Sequence, residues 1–490
     1  MPNSATSVEL KFCPLFINGR AVVSSSPKDV QYNPATGEAV AEIPRTTAEE
    51  ISAAVEAANQ AFPLWSKTPV LQRCRVLFKY RELLEANAGE LIALITEENG
   101  KTIEEARGSF QRGIESIEFS CGAPTLMMGE TVDQVGTGVD GWSTRNPVGV
   151  CVGITPFNFP VMVPLWMFPM AIACGNTFVL KPSDKVPRTA VRLVELAYEA
   201  GLPAGVLNLV HGAKSTVDAL LADPRVKAVS FVGSSAIARY IYQTAANNGK
   251  RVQALGGAKN HSVVLPDAEM KSTVAAIMGS GFGCAGERCL ATSVVVAVGE
   301  VADPLVKELV RAADNLNVGA GCEARSQMGP VISEEAKKRI LTYIELGEKE
   351  GVTLARDGRK DAAAKGSGYF VGPTILDRVN PNSRVAKEEI FGPVLSVIRV
   401  KDLKEALDVI SKSEYGNAAS VFTRSGGAAR EFTQNVGAGM VGINVGVPAP
   451  VAFFSFTGWK NSFFGDLHAL GKDAVHFYTE QRVVTCRWPE

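Results

Sequence analysis

The chain has 490 residues, of which 46% are hydrophobic and 21% are charged, and its formal net charge is -1. This composition is ordinary for a globular protein, and the absence of long basic runs argues against nucleic acid or a charged membrane surface as the main partner. At this length we expect two or more domains that share a cleft. Nine cysteines without CxxC spacing, together with a polar N-terminus, predict reduced thiols in a cytoplasmic protein.

Metal and membrane functions are also disfavoured. The chain has only four histidines and no HxxxH or Cys/His cluster, so we predict no zinc or other metal site. The longest apolar run, residues 161–173, is interrupted by Pro164 and Pro169. It is also shorter than the roughly 20 residues that a membrane span needs. We interpret it as a buried segment beside a cleft.

The first part of the chain predicts a hairpin followed by helices. Residues 15–23 alternate about a turn at Asn18-Gly19, which is typical of a hairpin. Helical periodicity follows in residues 47–62, 72–98 and 103–119. An arginine on the last helix, such as Arg112, is by default a solvated residue on a helix face. Residues 132–144 are polar and contain glycine, so they predict an exposed ribbon.

From Val148 onward, short apolar strands alternate with helices, which is the pattern of a parallel, doubly wound sheet. The predicted strands are residues 148–154, 177–181, 206–210 and 228–232, and the predicted helices lie near 188–199, 215–222 and 236–247. Ligands of such sheets bind at the carboxyl ends of the strands, where polar residues stand in segments 155–158, 181–184 and 233–235. The sequence lacks a GxGxxG fingerprint, so Gly233-Ser234 at a helix start is a weak indication of a phosphate site.

The stretch Phe282-Gly-Cys-Ala-Gly-Glu-Arg-Cys289 joins a predicted helix, with Asp267 as its N-cap, to a β-branched strand at residues 292–298. Its glycines allow a tight turn and close approach to the backbone. A cysteine at the end of such a turn could present its thiolate to a cleft as a nucleophile. The alternative is that Cys289 is a small buried hydrophobic residue, as most free cysteines are.

Two later segments are less informative by themselves. A second α/β region begins after Leu255-Gly256-Gly257, and the segment Glu388-Glu-Ile-Phe-Gly-Pro393 indicates only a turn between a helix and a strand. Residues 476–488 predict a strand without a partner nearby in the sequence. An unpaired strand edge of this kind suits pairing with another subunit.

Six short motifs occur in a characteristic order: Pro156-Phe-Asn158-Phe-Pro, Lys181-Pro-Ser, Phe231-Val-Gly-Ser234, Leu255-Gly-Gly257, Gly286-x-x-Cys289 and Glu388-Glu-Ile-Phe-Gly-Pro-Val394. With them the chain resembles the aldehyde dehydrogenase superfamily from about Leu15 to its C-terminus. The resemblance implies an α/β fold with a Rossmann-like NAD-binding domain (residues 8–125 and 147–255) and an α/β catalytic domain (256–445). It also implies a small β oligomerisation arm (126–146 and 470–490).

The same resemblance assigns roles to individual residues. Cys289 would be the nucleophile, and the side-chain amide of Asn158 and the backbone N–H of Cys289 would stabilise the oxyanion. The implied NAD-binding residues are Thr155, Phe157, Lys181, Asp184, Lys185, Ser234, Gly256, Glu389 and Phe391. Asp184 stands where the family usually has Glu beside the adenosine ribose, so NADP should still be disfavoured, though less firmly.

In this family the substrate becomes attached to the catalytic cysteine as a thioester. One departure from the family pattern concerns the step that breaks this thioester. Hydrolytic members carry Glu-Leu-Gly-Gly, whereas this chain has Ala254-Leu255-Gly256-Gly257. The missing glutamate is the general base for water, and such a base contributes roughly 10²–10⁴ in rate. The chain thus resembles the CoA-acylating methylmalonate-semialdehyde dehydrogenase group, with further matches at 284–289, 168–176 and 453–460.

Substrates of that group carry a carboxylate, which the planar fork of arginine binds well. Arg112 and Arg288 match the family's two carboxylate-binding arginines, and Arg288 should also favour the thiolate of Cys289. The alternative is that Arg288 pairs with a structural acid.

The resemblance therefore implies NAD-dependent oxidative decarboxylation of malonate or methylmalonate semialdehyde, with coenzyme A as co-substrate and acetyl-CoA or propionyl-CoA as product. It favours a homotetramer. Two alternatives remain: a CoA-dependent or hydrolytic dehydrogenase of another carboxylated aldehyde such as succinate semialdehyde, or a non-catalytic protein that kept the fold.

Overall fold

The computed structural model of the protein describes residues 10–489. Within that range no helix is long and apolar enough to cross a membrane. The first part of the chain forms short strands and a group of helices before a two-stranded ribbon. In chain order these are β1 (Lys11–Phe12), β2 (Leu15–Ile17), β3 (Arg20–Val22), β4 (Lys28–Tyr32), β5 (Ala39–Pro44), α1 (Ala48–Trp65), α2 (Val70–Ala86), α3 (Ala88–Asn99), α4 (Ile103–Ser120), α5 (Ala123–Leu126), β6 (Thr131–Gly136) and β7 (Val139–Pro147).

Alternating strands and helices follow, as the sequence predicts. They are β8 (Val150–Ile154), α6 (Met162–Ala173), β9 (Thr177–Lys181), α7 (Pro187–Glu199), β10 (Leu207–Leu209), α8 (Lys214–Ala222), β11 (Val226–Val232), α9 (Ser235–Asn247) and β12 (Arg251–Leu255). The predicted strands and helices of this region are confirmed to within a few residues. The apolar run at 161–173 is confirmed as a buried segment, and α6 has every residue buried.

The third part of the chain forms the second α/β region. Its elements are β13 (Asn260–Val264), α10 (Met270–Gly281), β14 (Thr292–Val298), α11 (Ala302–Asp314), α12 (Glu334–Lys349), β15 (Thr353–Arg356), β16 (Thr374–Asp377), α13 (Arg384–Lys387), β17 (Val394–Val400), α14 (Leu403–Ser411), β18 (Tyr415–Gly416), β19 (Ala418–Phe422), α15 (Gly426–Asn435), β20 (Met440–Ile443), β21 (Trp459–Lys460), β22 (Phe463–Gly465), α16 (Gly471–Phe477) and β23 (Thr479–Cys486).

The first large sheet is doubly wound. Its strand order is β22-β12-β11-β8-β9-β10-β2-β3, and the strands from β12 to β10 run parallel. The chain passes from β8 to β9 on one side and later returns to β11 on the other side, so the winding direction reverses between β8 and β11. The crevice at the carboxyl ends of these two strands is where this topology binds ligands.

The second large sheet has the order β15-β16-β17-β14-β13-β19-β20, and its strands from β16 to β20 are parallel. Three residues in or near the candidate active site stand just before its strands. Cys289 precedes β14, Phe391 precedes β17 and Asn417 precedes β19. Because the strands are parallel, these residues meet at the amino end of the sheet.

Helices α4 and α6 pack closely beside the cleft. A Cβ atom at Gly113 of α4 would lie 2.8 Å from Cδ1 of Leu165 and 3.2 Å from Cγ1 of Val161. The absence of a side chain at Gly113 therefore allows the two helices to approach. Helix α4 begins with a capping box between Thr102 and Glu105, which fixes the position of the Glu105 carboxylate.

One local prediction is wrong. Asp267 is not the N-cap of α10, because that helix begins at Met270 and its first N–H groups are bound by the Glu269 carboxylate. Asp267 instead accepts hydrogen bonds from Oγ1 of Thr423 at 2.8 Å and from the N–H of Arg424 at 2.9 Å. Glu269 directly precedes the helix and takes the N-cap position, whereas Asp267 stands two residues earlier in the chain.

The predicted C-terminal strand is confirmed within narrower bounds. The strand predicted at residues 476–488 is shorter, since α16 extends to Phe477, and β23 has a partner within the chain. It pairs antiparallel with β7 from Thr479 opposite Pro147 to Cys486 opposite Asp140. The other edge of β23 has no strand partner among residues 10–489, and Val483 is 72% exposed.

Candidate active site

Cys289 follows a tight turn with unusual backbone conformation. Cys284 (φ 52°), Ala285 (φ 50°) and Gly286 (φ 72°) all lie in the left-handed region. For a residue other than glycine this region costs roughly 1–2 kcal/mol, so packing must hold the turn. A Cβ atom at Gly286 would lie 2.2 Å from the carbonyl oxygen of Gly392, so that position requires glycine.

The backbone of Cys289 is fixed by two buried amides. The side-chain Nδ2 atoms of Asn260 and Asn417 each donate to the carbonyl oxygen of Cys289 at 2.9 Å. Asn260 also donates to the carbonyl of Ala291 at 3.0 Å. Our sequence analysis did not identify either asparagine. The sequence feature that could have identified them is an asparagine at the start of a buried strand, because its side-chain amide must find hydrogen-bond partners there.

Two cavities meet at Cys289. The first, which we call the α4 cavity, has a volume of about 470 Å³ and is lined by residues of α4, α6 and the Cys289 turn. The second, which we call the crevice cavity, has a volume of about 360 Å³ and lies at the switch point of the first sheet. Cys289 lines both cavities, so its sulfur can react with a molecule bound in the α4 cavity while a second molecule occupies the crevice cavity.

Residues from both sheets form the wall of the crevice cavity. Of the residues predicted for the active site and for NAD, it contains Phe157, Asn158, Lys185, Ser234, Gly256, Cys289, Glu389 and Phe391. The rings of Phe157 and Phe391 make an edge-to-face contact with centroids 5.9 Å apart. Ser234 is the N-cap of α9 and its side chain makes no capping hydrogen bond. Arg339 and Ser333 also line the cavity, and the sequence analysis missed both.

Three residues predicted for the same ligand lie outside this wall. Nζ of Lys181 is 3.7 Å from Oδ1 of Asp184, and burial lowers the pKa of Lys181. The backbone N–H of Thr155 donates to the carbonyl of Lys181. All three stand at or just beyond the carboxyl ends of β8 and β9, next to the crevice cavity rather than in its wall. Their part in binding stays a prediction.

Asn158 is held beside the nucleophile segment. Its Nδ2 donates to the carbonyl of Glu287 at 2.8 Å, and Nζ of the buried Lys101 donates to its backbone carbonyl. An amide nitrogen carries two hydrogens, and within the described residues only one of them is used. The second N–H is available to an oxygen atom of a molecule attached to Cys289.

The surroundings of Cys289 keep its thiol protonated at neutral pH. Burial, together with the negative charge of Glu389, raises the pKa of its thiol to about 12. Arg288 does lower the pKa of Cys289, as expected, but burial outweighs that effect, so the expected thiolate is not the favoured form here. Glu389 itself accepts a hydrogen bond from the N–H of Ala258 at 2.9 Å.

The α4 cavity brings together Arg112 and Arg288 within a largely apolar wall. Nη1 of Arg112 lies 2.8 Å from the carboxylate of Glu115, and Nη2 of Arg288 lies 3.8 Å from that of Glu105. Arg288 thus both lines the cavity and has the acidic neighbour that the alternative hypothesis expected. Aromatic and aliphatic side chains form much of the rest of the wall, including Phe159, Met162, Trp166, Leu290 and Phe456. The wall also contains the carboxylates of Glu104, Glu105 and Glu115. The cavity suits a small molecule with one anionic end.

Because the pKa of Cys289 is raised, its neutral thiol is the stable form at pH 7 and the thiolate appears only as the pH rises. We expect the rate of alkylation of Cys289 by iodoacetamide to increase about tenfold per pH unit between pH 7 and 10. Peptide-resolved mass spectrometry would measure it, with the exposed Cys322 as an internal control. A rate that reaches a plateau below pH 8 would show that the resting thiol is already ionised.

Comparison with known proteins agrees with this geometry. The model of the family described as "Aldehyde dehydrogenase family" matches residues 22–484. Malonate-semialdehyde dehydrogenase 1 of Geobacillus thermodenitrificans is 57% identical, covering 96% of this chain and 98% of that protein. The crystal structure of methylmalonate-semialdehyde dehydrogenase from Oceanimonas doudoroffii has a TM-score of 0.97 and 51% identity, covering 98% of this chain and 99% of that one.

A Sinorhizobium meliloti protein assigned as methylmalonate-semialdehyde dehydrogenase, whose crystal structure is a complex with NAD, also superposes with a TM-score of 0.97 at 46% identity. The alignment covers 98% of this chain and 99% of that one. The match to the family model and these full-length similarities agree with the two-sheet fold. The chain belongs to the aldehyde dehydrogenase family.

Proposed function

We propose that this protein is an NAD-dependent, CoA-acylating dehydrogenase that converts malonate or methylmalonate semialdehyde to acetyl-CoA or propionyl-CoA. The observation that carries the proposal is the position of Cys289 between the α4 cavity, with its two arginines, and the crevice cavity at the switch point. The names of the similar proteins support the same substrate class.

NAD fits the crevice cavity. Ser234 and Gly233 present the start of α9, whose free N–H groups favour a phosphate, and Lys185 adds a positive charge. Asp184, just outside the wall, carries a negative charge that would disfavour the additional phosphate of NADP. When bound, NAD supplies the acceptor for the hydride that leaves the substrate carbon. Phe157 and Phe391 would limit where its nicotinamide ring can lie.

The residues around Cys289 account for the first chemical step. As the thiol gives up its proton, its sulfur forms a bond to the aldehyde carbon, and the carbonyl oxygen becomes an oxyanion. The second side-chain N–H of Asn158 and the backbone N–H of Cys289 would donate to that oxygen. When the oxyanion collapses to a carbonyl, the hydride leaves and a thioester remains on Cys289.

The two arginines account for the choice of substrate. Arg112 and Arg288 would hold the carboxylate two carbons from the reacting centre, since charge-assisted hydrogen bonds to arginine fix both position and orientation. Loss of this carboxylate as CO₂ sends the electrons of the broken C–C bond into the thioester, which becomes an enolate. Protonation of the enolate carbon then leaves an acetyl or propionyl group on Cys289.

Ala254 accounts for the choice of coenzyme A, and not water, as the acceptor of the acyl group. It is fully buried in β12, two residues before Gly256 of the crevice cavity, and it has no carboxylate that could activate water. A thiol is a far better nucleophile than water in the absence of a base, so the sulfur of coenzyme A attacks the thioester. The bond to Cys289 breaks, and the cysteine leaves as a thiolate that takes up a proton.

The proposal is tested by identifying the product with and without coenzyme A. With NAD, malonate semialdehyde and CoA, we expect steady NADH formation and stoichiometric acetyl-CoA, measured by absorbance and mass spectrometry. Without CoA we expect a burst of about one NADH per site followed by slow turnover. Free acid as the main product in the presence of CoA would refute the acylating assignment.

The role of Arg112 is tested by Arg112→Leu. We expect the KM for malonate semialdehyde to rise about 10- to 100-fold, because a charged hydrogen bond contributes about 1.5–3 kcal/mol, while propanal turnover stays nearly the same. Steady-state kinetics with both aldehydes would measure this.

Arg107→Leu is the matched control, since Arg107 lies on the same helix, is 61% exposed and is not part of the cavity wall. It should change neither aldehyde's kinetics. Equal losses with malonate semialdehyde and propanal in Arg112→Leu would show that Arg112 does not bind the carboxylate.

We also propose the domain division and assembly that the family resemblance implies. The NAD-binding domain would comprise residues 8–125 and 147–255, the catalytic domain 256–445, and the arm 126–146 and 470–490. The free edge of β23 and exposed side chains of the arm, such as Trp142 and Val483, support subunit contacts, and we propose a homotetramer. The free thiol that the mechanism needs supports a reducing compartment, the cytoplasm.

A further inference from the structure

The guanidinium group of Arg288 is held from several directions. Its Nε donates to Sγ of Cys284 at 3.1 Å, and its Nη1 donates to the carbonyl oxygen of Gly279 at 3.0 Å. One face of the group lies against Gly283, where a Cβ atom would come within 2.7 Å of Nη1 and 3.0 Å of Cζ. The arginine therefore has one well-defined orientation before any ligand arrives.

Cys284 owes its position to Glu105. One oxygen of the Glu105 carboxylate accepts the Cys284 backbone N–H at 2.5 Å, and the other accepts the N–H of Thr102 at 3.1 Å in the capping box of α4. This contact joins the start of α4 to the left-handed turn and helps hold Cys284 at a φ of 52°. The Cys284 sulfur is thereby placed beside Arg288 rather than directed to solvent.

Counting donors shows what remains for a ligand. A guanidinium has five N–H groups, and the described residues accept hydrogen bonds from two of those of Arg288. One hydrogen of Nη1 and both of Nη2 are left, and Nη2 is 3.8 Å from Glu105, beyond hydrogen-bond distance. The groups that remain are the outer pair of the fork, which is the part that binds a carboxylate with two parallel hydrogen bonds.

We propose that Cys284, Gly283 and Glu105 form a cradle that positions Arg288, and that this cradle sets the preference for aldehydes with a carboxylate over plain aldehydes. The inference rests on the proposed function, in which Arg288 binds that carboxylate. The three residues are positioning residues: they touch Arg288 and act through it. The sulfur of Cys284 serves as a hydrogen-bond acceptor, and burial favours its neutral form by raising the pKa of the thiol.

The first test is Cys284→Ala, which removes the acceptor for Nε and leaves the nucleophile in place. We expect the KM for malonate semialdehyde to rise about five- to tenfold with kcat and propanal kinetics little changed, because one hydrogen bond to a charged group is lost. Cys284→Ser restores an acceptor and should return the KM to within about threefold of the wild-type value. A purely structural role would lower the activity with both aldehydes and would not distinguish serine from alanine.

A second variant tests the cradle without changing the cysteine. In Gly283→Ala the added methyl group must displace the guanidinium, so we expect a larger selective loss, about 30-fold or more in kcat/KM for malonate semialdehyde relative to propanal. Gly89→Ala is the control, because a methyl group there meets nothing within 4 Å. Cys121→Ala is the control for removing a buried thiol, since Cys121 is 8% exposed and is not part of either cavity wall. Neither control should change the ratio.

Arg288→Leu distinguishes the proposed role of Arg288 in carboxylate binding from the role of the cradle that positions it. If it lowers the ratio of malonate semialdehyde to propanal activity while Cys284→Ala and Gly283→Ala do not, the cradle is refuted and the proposed role of Arg288 stands. If Arg288→Leu itself leaves the ratio unchanged, the carboxylate role of Arg288 is refuted, and the cradle with it. If all three lower the ratio and Cys284→Ser restores it, the inference is supported.

Discussion

The carbonyl oxygen of Cys289 accepts hydrogen bonds from Asn260 and Asn417, and the position of the reactive sulfur depends on that contact. The turn before it contains two consecutive residues in the left-handed region, Cys284 and Ala285, which would relax without support. Buried amides resist displacement because an unpaired buried polar group is costly. The strained turn and its two amide supports together hold the sulfur where the two cavities meet.

The two large sheets present opposite ends to the same cleft. The doubly wound sheet contributes the residues that follow its strands, such as Asn158 after β8 and Ser234 after β11. The second sheet contributes residues that precede its strands, including Cys289 and Glu389. Cys289 thus faces the crevice cavity, which is of the kind that binds nucleotides, and the α4 cavity, which contains the two arginines Arg112 and Arg288. This arrangement fits a reaction in which the substrate binds on one side of the sulfur, and the hydride acceptor lies on the other side and takes the hydride from the carbon bonded to the sulfur.

Much of the fold could be predicted from the sequence because local patterns and tertiary packing agree there. Strands such as β8 and β9 are fully buried and mostly apolar, and the hairpin turn at Asn18-Gly19 has the expected residues. Asp267 was misassigned, and the pairing of the C-terminal strand could not be predicted from local patterns, because their partners, Thr423 and β7, are distant in the sequence. Contacts across such separations leave no local periodicity.

The residues of the site also divide into those that local motifs mark and those that only distant contacts bring into place. Residues in short motifs, including Cys289, Asn158 and Glu389, line the cavities, whereas Asn260, Asn417 and Glu105 had no motif to mark them. The protonation state of Cys289 could not be predicted from its neighbour Arg288, because burial is a property of the folded chain and it outweighs one adjacent charge. Sequence reasoning identified the chemistry, and the structure identified the residues that hold it in place.

The central claim is that the thioester on Cys289 is broken by a thiol and not by water, because residue 254 is alanine and not a glutamate base. The most direct test is intact-protein mass spectrometry of the enzyme after mixing with NAD and malonate semialdehyde in the absence of CoA. We expect an acetylated enzyme that persists over many turnover times of the complete reaction and disappears on addition of CoA. Rapid loss of the acyl group without any thiol, with continued NADH formation, would contradict it.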